Sequence, residues 1–163
     1  MTGKIALVPE AEAASKARLR LWLRMLKVTR KIEAELRERL RVDFATTLPR
    51  FDVLAALSRH PAGLKMSALS GVLRVSNGNV TGIVDRLVEE GLVVRVPVAG
   101  DRRAMVVRLT EAGRTSFDTQ AAEHEAWIDQ MLSGLEPAEV RAYSGRLQAL
   151  SVALDAEKSK DAT

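Results

Sequence analysis

The sequence of 163 residues contains no cysteine, and this absence excludes a disulfide scaffold, zinc sites built from thiolates and redox sensing through a thiol. Aromatic residues make up only 4% of the chain, so we expect a core built mainly from Leu, Val and Ala. No run approaches the roughly 18 apolar residues of a membrane-spanning helix, and the first ten residues lack the apolar segment of a secretory signal. We therefore expect a cytoplasmic protein with no membrane partner.

Histidine is also scarce. His60 and His124 are the two histidines, they fall in different predicted helices, and no spacing around them suits a metal. The chain also lacks a phosphate-binding loop and a nucleophile placed with a base. We therefore expect no catalytic site, no metal site and no cofactor, and a binding protein rather than an enzyme.

Charge is distributed unevenly, although the net charge is only +4. Residues 10–43 contain ten basic and six acidic residues, and residues 65–108 contain seven basic and four acidic. In residues 111–163 the balance reverses to five basic and ten acidic. This asymmetry indicates a polyanionic partner for the middle of the chain. Solvated helix faces would give the same asymmetry, so charge alone leaves both interpretations open.

The first long pattern is a helix that begins near Pro9, because proline is favoured in a first turn. It covers about 30 residues, on the order of 45 Å. Apolar side chains recur along it with a period close to 3.6: Leu19, Trp22, Leu23, Leu26, Ile32, Leu36 and Leu40. One small core cannot cover so long a stripe, and we expect the surplus to pack against another subunit.

Further helices and one hairpin are predicted downstream. Side chains able to cap a first turn mark four helix starts, and a proline opens a fifth: Thr47, Ser67, Ser76, Thr110 and Pro137. Gly91 suits the left-handed position that ends the helix after Ser76. The β-branched runs LVVRVPV and AMVVRLT flank the loop AGDRR and predict a hairpin with Pro97 near the end of its first strand. The two short helices before it have the separation of a helix-turn-helix.

The segment VSNGNVTGIVDRLVEEG carries two glycines in an otherwise helical pattern. At 100° per residue, Gly78 and Gly82 lie opposite an apolar face made of Val80, Ile83, Val84 and Leu87. Each glycine costs roughly 1 kcal/mol relative to alanine, so its presence makes sense where another surface must come close. Polar residues that can contact bases or phosphates surround the first glycine: Ser76, Asn77, Asn79 and Thr81. A helix in the DNA major groove is the favoured interpretation, with loose caps and a tolerated glycine as the alternative.

Two adjacent arginines, Arg102 and Arg103, are predicted at the tip of the hairpin. Such side chains suit a narrow minor groove, which concentrates negative potential. Asp101 precedes them and is a candidate partner that would hold one arginine in position. A plain solvated surface is the alternative for an isolated basic tip.

The run LSGVLRVSNGNVTGIVDRLVEEGLVVRVPVAGDRRAMVVRLTEAG resembles the winged helix-turn-helix of MarR-type transcriptional regulators. It joins VS..NVT..VDRL, the strand entry GLV.R, the wing motif DRR and the closing LT..G in order, and TLPRFDVLAAL resembles the preceding helix. The resemblance implies a mainly α fold with a small β-hairpin wing and long N- and C-terminal dimerisation helices. These parts would be an N-terminal dimerisation helix at 1–46, a DNA-binding domain at 47–110 and C-terminal dimerisation helices at 111–163.

The same resemblance implies a homodimer that binds a pseudo-palindromic operator in double-stranded DNA. It assigns DNA contacts to the following residues: Ser76, Asn77, Gly78, Asn79, Thr81, Arg86, Asp101, Arg102 and Arg103. Within this set Arg86 would bind phosphate or brace the wing, and Asp101 would orient the wing. A sequence-tolerant architectural DNA binder is the other function considered. The Ser, Asn and Thr cluster disfavours it, because nonspecific binders rely chiefly on Lys and Arg.

Regulators of this type commonly release DNA when a small molecule, often an aromatic acid, binds between the DNA-binding and dimerisation parts. Certain members resemble this chain and respond to acyl-CoA thioesters. Without cysteine the chain cannot use the thiol switch of the peroxide-sensing branch, so the resemblance implies a ligand-responsive repressor. The candidate effector-binding residues lie on the first helix: Trp22, Arg18, Arg24 and Lys27. A solvated basic face and a tryptophan in the core are the alternatives.

Overall fold

The computed structural model describes residues 9–73, 77–98 and 100–161, except for the side chains of residues 9–12, 77, 102, 103 and 158–161. Within these ranges the chain forms six helices and one two-stranded antiparallel sheet. Their bounds are α1 Pro9–Phe44, α2 Leu48–Ser58, α3 Met66–Leu73, α4 Asn77–Glu89, β1 Val93–Val98, β2 Asp101–Leu109, α5 Glu111–Leu132 and α6 Pro137–Asp161. The chain divides after Glu125 into two compact units. The predicted fold class, mainly α with a β-hairpin wing, is confirmed.

The core of the first unit lies between α2, α3, α4 and the hairpin. Its most buried members are all Leu, Val or Ala, as the shortage of aromatic residues predicts: Val53, Leu54, Ala56, Leu57, Leu69, Val80, Val84, Leu87, Val93 and Val107. Each Leu or Val removed from water contributes roughly 1.5–3 kcal/mol. Because three of these residues belong to α4, burial fixes which face of α4 points outward.

Most of the predicted helix ends are confirmed by backbone geometry. Thr47 caps α2, since its side chain accepts a hydrogen bond from the Arg50 amide at 3.4 Å. Thr110 caps α5, because its Oγ1 accepts from the Gly113 amide at 2.9 Å. Gly91 ends α4 with φ = 71°, and the amides of Gly91 and Leu92 donate back to carbonyls in its last turn at 2.9 Å.

The predicted cap at Ser67 is wrong. Helix α3 begins one residue earlier, at Met66, and the Leu69 amide donates to the Lys65 carbonyl at 2.9 Å. The cause is a tertiary contact, because Leu64 forms a two-way backbone bridge with Val107 of β2 at 2.9 and 2.8 Å. This bridge fixes the chain just before α3. The predicted cap at Ser76 lies outside the described residues.

The hairpin differs from the prediction at its tip. Strand β2 begins at Asp101, so Asp101, Arg102 and Arg103 belong to the strand rather than to the loop AGDRR. Val98 pairs with Asp101 across a two-residue connection in which Gly100 has φ = 83°. The register then shifts by three residues between Pro97 and Val98, so the pairing of the two strands is irregular near the tip. As predicted, Pro97 lies near the end of the first strand, and it is exposed.

Helix α1 is buried only towards its C-terminal end. In the described part of this helix Leu36 and Leu40 are the buried apolar residues, whereas Leu19, Trp22 and Leu23 are each more than half exposed. The surplus stripe predicted on α1 is therefore present. A comparable set of exposed apolar side chains lies on α6: Val140, Tyr143, Leu147, Leu150, Val152 and Leu154. Among the helices that the structure describes, none is both long and apolar enough to cross a membrane.

Candidate nucleic-acid interface

Helix α4 presents a polar surface that is interrupted by glycines. Val80, Val84 and Leu87 are fully buried, so the opposite side of the helix faces outward. A Cβ atom built on Gly78 or Gly82 would meet no atom within 4 Å. Packing inside the chain therefore does not require either glycine. Because glycine has no side chain, nothing projects from the outward surface of α4 at these two positions. The predicted division of this helix into two faces is confirmed.

The structure brings together part of the predicted DNA-contacting set. Gly78, Asn79 and Thr81 are exposed side by side in the first half of α4, and Arg86 is exposed in its last turn. Asn77 is the first residue of α4, but its side chain lies outside the described part. Ser76 lies outside it altogether. In the wing, Asp101 is exposed, and the structure places Arg102 and Arg103 in β2 without describing their side chains. The locations of these residues do not show whether they contact DNA. The assignment of DNA contacts to them therefore stays a prediction.

A groove of about 300 Å³ joins the start of α2 to the outward surface of α4. Sequence patterns did not predict it. Seven residues line it: Thr47, Arg50, Gly78, Asn79, Gly82, Ile83 and Arg86. Arg86 is the cation in this lining that forms no ion pair among the described residues, and its positive charge suits a phosphate-bearing partner.

Arg50 of α2 forms a two-pronged ion pair with Glu90, the residue that follows α4. Its Nη1 donates to Oε1 at 2.8 Å and its Nη2 donates to Oε2. The hydrogen bond from Arg50 lowers the pKa of Glu90, and the bond to Glu90 raises the pKa of Arg50. The two residues are 40 positions apart, so no helical or strand period could have indicated the pair. It holds the C-terminal end of α4 against the first turn of α2.

A second ion pair connects α4 to the wing. Arg95 of β1 donates from Nη2 to Oδ1 of Asp85 at 2.6 Å. The resemblance offered Arg86 as a brace for the wing, but in the structure the neighbouring Asp85 forms this link to β1, while Arg86 lines the groove. The wing and the outward surface of α4 are therefore held in one arrangement.

An aromatic contact connects α2 to α5. The His124 ring stacks on Phe51 with 4.6 Å between ring centres, and Phe117 lies 5.6 Å from Phe51. Desolvation lowers the pKa of His124, and burial raises the pKa of the neighbouring Asp52. His60 instead lies against its own helix, with Nδ1 2.9 Å from the Ala56 carbonyl oxygen. The described residues contain no group of three or more His, Asp or Glu side chains placed to hold a metal.

The four predicted effector-binding residues do not share one side of α1. All four are exposed, and Trp22 exposes 53% of its surface. Arg18 and Trp22 are four positions apart and lie on one face of the helix. Lys27 is nine positions from Arg18, which places it about 180° around the helix, and Arg24 lies near Lys27. One copy of α1 therefore presents these residues as two separate pairs.

The Arg50–Glu90 pair leads to a pH-dependent prediction. Because the folded pKa of Glu90 is lowered, the pair stabilises the fold above the ordinary pKa of 4.5, and this contribution is lost as the pH falls through the folded pKa. Glu90 is 46% exposed, so we expect Glu90→Gln to cost only about 1 kcal/mol or less at neutral pH. Urea unfolding of both proteins from neutral to acidic pH would measure the difference.

Glu89→Gln is the matched control, since Glu89 is the exposed neighbour on the same turn. It removes the same charge without removing the ion pair. A stability difference for Glu90→Gln that does not shrink on acidification would contradict the role given to the carboxylate.

Three comparisons with known proteins agree with this geometry. The sequence model of the MarR family matches residues 46–104, which run from just before α2 into the wing. The HTH-type transcriptional regulator PecS of Dickeya dadantii (strain 3937) is 33% identical over 60% of this chain, and the match spans 62% of PecS. The HTH-type transcriptional regulator YfiV of Bacillus subtilis (strain 168) is 31% identical over 86% of both chains.

A solved structure extends the similarity beyond the winged motif. The crystal structure of a MarR family transcriptional regulator from Silicibacter pomeroyi has a TM-score of 0.72 to this chain at 31% identity. The match covers 86% of this chain and 97% of that one, so it includes helices outside the motif. Sequence and fold together lead to one assignment. The chain belongs to the MarR family of helix-turn-helix transcriptional regulators.

Proposed function

We propose that this regulator binds a pseudo-palindromic operator in double-stranded DNA as a homodimer, represses transcription there, and releases the DNA when an effector binds. The observation that carries the proposal is the outward surface of α4, where Gly78, Asn79, Thr81 and Gly82 leave an exposed and sterically open face. The major groove of B-DNA is wide enough to admit such a helix.

Two ion pairs prepare α4 for this role. Arg50–Glu90 holds its C-terminal end to α2, and Asp85–Arg95 holds its middle to β1. A helix fixed at two places can read base edges without first having to be ordered, which reduces the entropic cost of binding. We propose that Asn77 and Asn79 contact bases, that Ser76 and Thr81 contact bases or phosphates, and that Arg86 contacts phosphate from the groove. Arg102 and Arg103 would enter the minor groove, with Asp101 orienting the wing.

The homodimer is proposed from the apolar side chains that α1 and α6 leave exposed. Leu19, Trp22 and Leu23 on α1, and Leu147 and Leu150 on α6, are each at least 45% exposed. Burial of each such side chain contributes roughly 1.5–3 kcal/mol, so a second copy of the chain is a favourable occupant. In this arrangement 1–46 and 111–163 serve dimerisation and 47–110 binds DNA.

The effector is proposed to be a small aromatic acid or its acyl-CoA thioester. Arg18 and Trp22 form the better-placed pair, because a guanidinium and an indole on one helix face suit a carboxylate attached to an aromatic ring. Arg24 and Lys27 lie on the other side of α1 and would contact the same ligand only from a second copy of the helix. CouR of Rhodococcus jostii RHA1, which shares this fold at 23% identity and a TM-score of 0.70, is bound to p-coumaroyl-CoA in its crystal structure.

Repression rather than activation is the proposed outcome of binding. The HTH-type transcriptional repressor MdtR of Bacillus subtilis (strain 168) is 32% identical over 68% of this chain and 70% of its own length. The transcriptional activatory protein BadR of Rhodopseudomonas palustris (strain ATCC BAA-98 / CGA009) matches a shorter part, 57% of this chain at 35% identity. The longer match supports repression.

Fluorescence anisotropy tests the proposal directly. The purified protein would be titrated onto DNA from upstream of its own gene and onto a scrambled duplex, with and without a panel of aromatic acids and their CoA thioesters. We expect tight binding to the upstream DNA that one compound abolishes. Equal binding to both duplexes, unaffected by every compound, would instead favour a sequence-tolerant architectural DNA binder.

Arg103→Ala is expected to weaken operator binding by about tenfold or more, in the range of 1–3 kcal/mol, with little change in melting temperature. The reason is that an arginine in a narrow minor groove interacts with concentrated negative potential. Anisotropy titrations and thermal melts measure the two effects separately. Arg141→Ala, at an exposed arginine on α6, removes the same charge outside the winged motif. Unchanged affinity of Arg103→Ala would remove the wing from the binding mechanism.

A further inference from the structure

Five cations lie along one side of α1: Arg20, Arg24, Lys27, Arg30 and Lys31, here named the basic stripe. At 100° per residue they fall within a sector of about 120°. All five are exposed. Trp22, Met25 and Leu36 lie on the opposite side of this helix, whereas Leu23 lies within the sector of the basic stripe and Leu26 borders it. A partner subunit packed on the Trp22 side would leave the basic stripe in solvent.

Acidic residues are absent from the segment of α1 that carries the basic stripe. No Asp or Glu occurs from residue 13 to residue 32. The next two acids are already engaged, since Glu33 accepts from Arg37 at 3.0 Å and Glu35 accepts from Arg39 at 2.7 Å. In the part of α1 whose side chains the structure describes, none of the five cations forms an ion pair. The two parts of this helix therefore differ: arginines after Glu33 pair with nearby acids, whereas the five cations of the basic stripe form no ion pair among the described residues.

The length and shape of the basic stripe suit a linear polyanion. From Arg20 to Lys31 the helix rises about 17 Å. Over that distance a DNA duplex carries roughly ten phosphate charges, about one for every 1.7 Å. A shallow groove of about 390 Å³ follows the same side of the helix, and Lys27, Arg30 and Lys31 line it together with Leu23, Leu26 and Ala34. Cations spaced along an open groove contact a phosphate backbone without reading bases.

The N-terminal end of the basic stripe lies far along α1 from the place where this helix packs against its unit. Helix α1 is buried against the rest of its unit at Leu36 and Leu40. Arg20 lies 16 residues before Leu36, which is about 24 Å along the helix axis. We propose that the basic stripe is a second, sequence-independent DNA-binding surface, which holds a duplex other than the one on α4. The protein would then bridge two DNA segments, a property that does not depend on which operator α4 reads.

Two triple variants test this inference. Arg20→Gln, Arg30→Gln and Lys31→Gln remove three charges from the basic stripe. Arg37→Gln, Arg39→Gln and Arg41→Gln remove three charges from arginines of the same helix that pair with Glu33, Glu35 and Glu38. Both sets lower the net charge equally, and glutamine has nearly the helix propensity of lysine and arginine. Circular dichroism would establish that both variants keep the wild-type fold.

The first readout is binding to a labelled duplex of scrambled sequence between about 50 and 200 mM salt. The slope of log K against log salt should fall by about 2.7 for the stripe variant, and its affinity should fall at least about tenfold at the higher salt. The paired-arginine variant should stay within about twofold of the wild type. Equal losses of DNA affinity in the two variants would show that only net charge matters and would overturn the proposal. Unchanged affinity of the stripe variant would also overturn it.

The second readout is capture of a dye-labelled duplex by protein held on a biotinylated duplex, both of scrambled sequence. We expect capture by the wild type and at least about a tenfold loss for the stripe variant. Vesicles containing phosphatidylserine serve as the competing anionic surface. Stripe-dependent vesicle binding with DNA capture unchanged would overturn the DNA assignment. Preference for upstream over scrambled DNA should survive in the stripe variant, so this inference and the operator proposal can fail separately.

Discussion

Gly113→Ala is expected to lower the melting temperature by roughly 6–12 °C, corresponding to a loss of about 3 kcal/mol of folding stability. A Cβ atom at this position would lie 1.8 Å from the Leu92 carbonyl oxygen and 2.8 Å from its carbon. That carbonyl cannot move freely, because it accepts from the Thr110 amide at 3.1 Å and from Thr110 Oγ1 at 3.2 Å. Relief of the clash would separate the start of α5 from the turn that follows α4. Differential scanning calorimetry measures the effect.

Gly145→Ala is the matched control for this substitution. Gly145 lies within α6, and a Cβ atom there would meet nothing within 4 Å. Alanine is favoured over glycine in a helix by roughly 0.5–1 kcal/mol, so the melting temperature should stay the same or rise slightly. A Gly113→Ala protein as stable as the wild type would mean that the close approach of Leu92 to α5 is not maintained in solution.

Gly82→Leu is expected to reduce operator affinity by roughly 100-fold or more, about 2.7 kcal/mol, while the fold stays intact. No atom of the chain lies within 4 Å of the added Cβ, and leucine favours helix more than glycine does. The new side chain would occupy the space between α4 and the floor of the major groove. Stability and DNA binding should therefore change independently, and thermal melts with anisotropy titrations on upstream DNA measure both.

Gly82→Ala distinguishes the effect of higher helix propensity from the effect of side-chain bulk on DNA binding. It adds the same helix stabilisation with a much smaller side chain, so it should reduce affinity far less than Gly82→Leu does. Normal DNA binding by Gly82→Leu would show that close approach of DNA is not the reason for a glycine at this position.

Local patterns in the sequence were sufficient to predict the helices and the hairpin of this fold. The spacing of apolar residues predicted the position of α1. The predicted division of α4 into a buried and an exposed face was also correct, because Val80, Val84 and Leu87 are buried together. Caps at Thr47 and Thr110 were predictable, since a hydroxyl that accepts from the third following amide is a local interaction. These features depend on residues within about one helical turn of one another.

Predictions were less accurate where distant parts of the chain meet. Ser67 looked like a cap, but the bridge between Leu64 and Val107 makes α3 begin at Met66. Similarly, the residues at the hairpin tip looked like a loop, whereas pairing of Val98 with Asp101 starts β2 there. In both places a backbone contact with β2 outweighs the preference of the local sequence.

For the candidate site, the sequence by itself determined the chemistry of the outward face of α4 and membership of the MarR family. The DNA and effector contacts named from that resemblance stay predictions. Only the tertiary structure decided what holds α4 in place: the pairs Arg50–Glu90 and Asp85–Arg95, and the stacking of His124 on Phe51. The physical reason is that periodicity and capping operate over a few residues. An ion pair between residues 40 positions apart exists only after core packing has brought α2 and the end of α4 together.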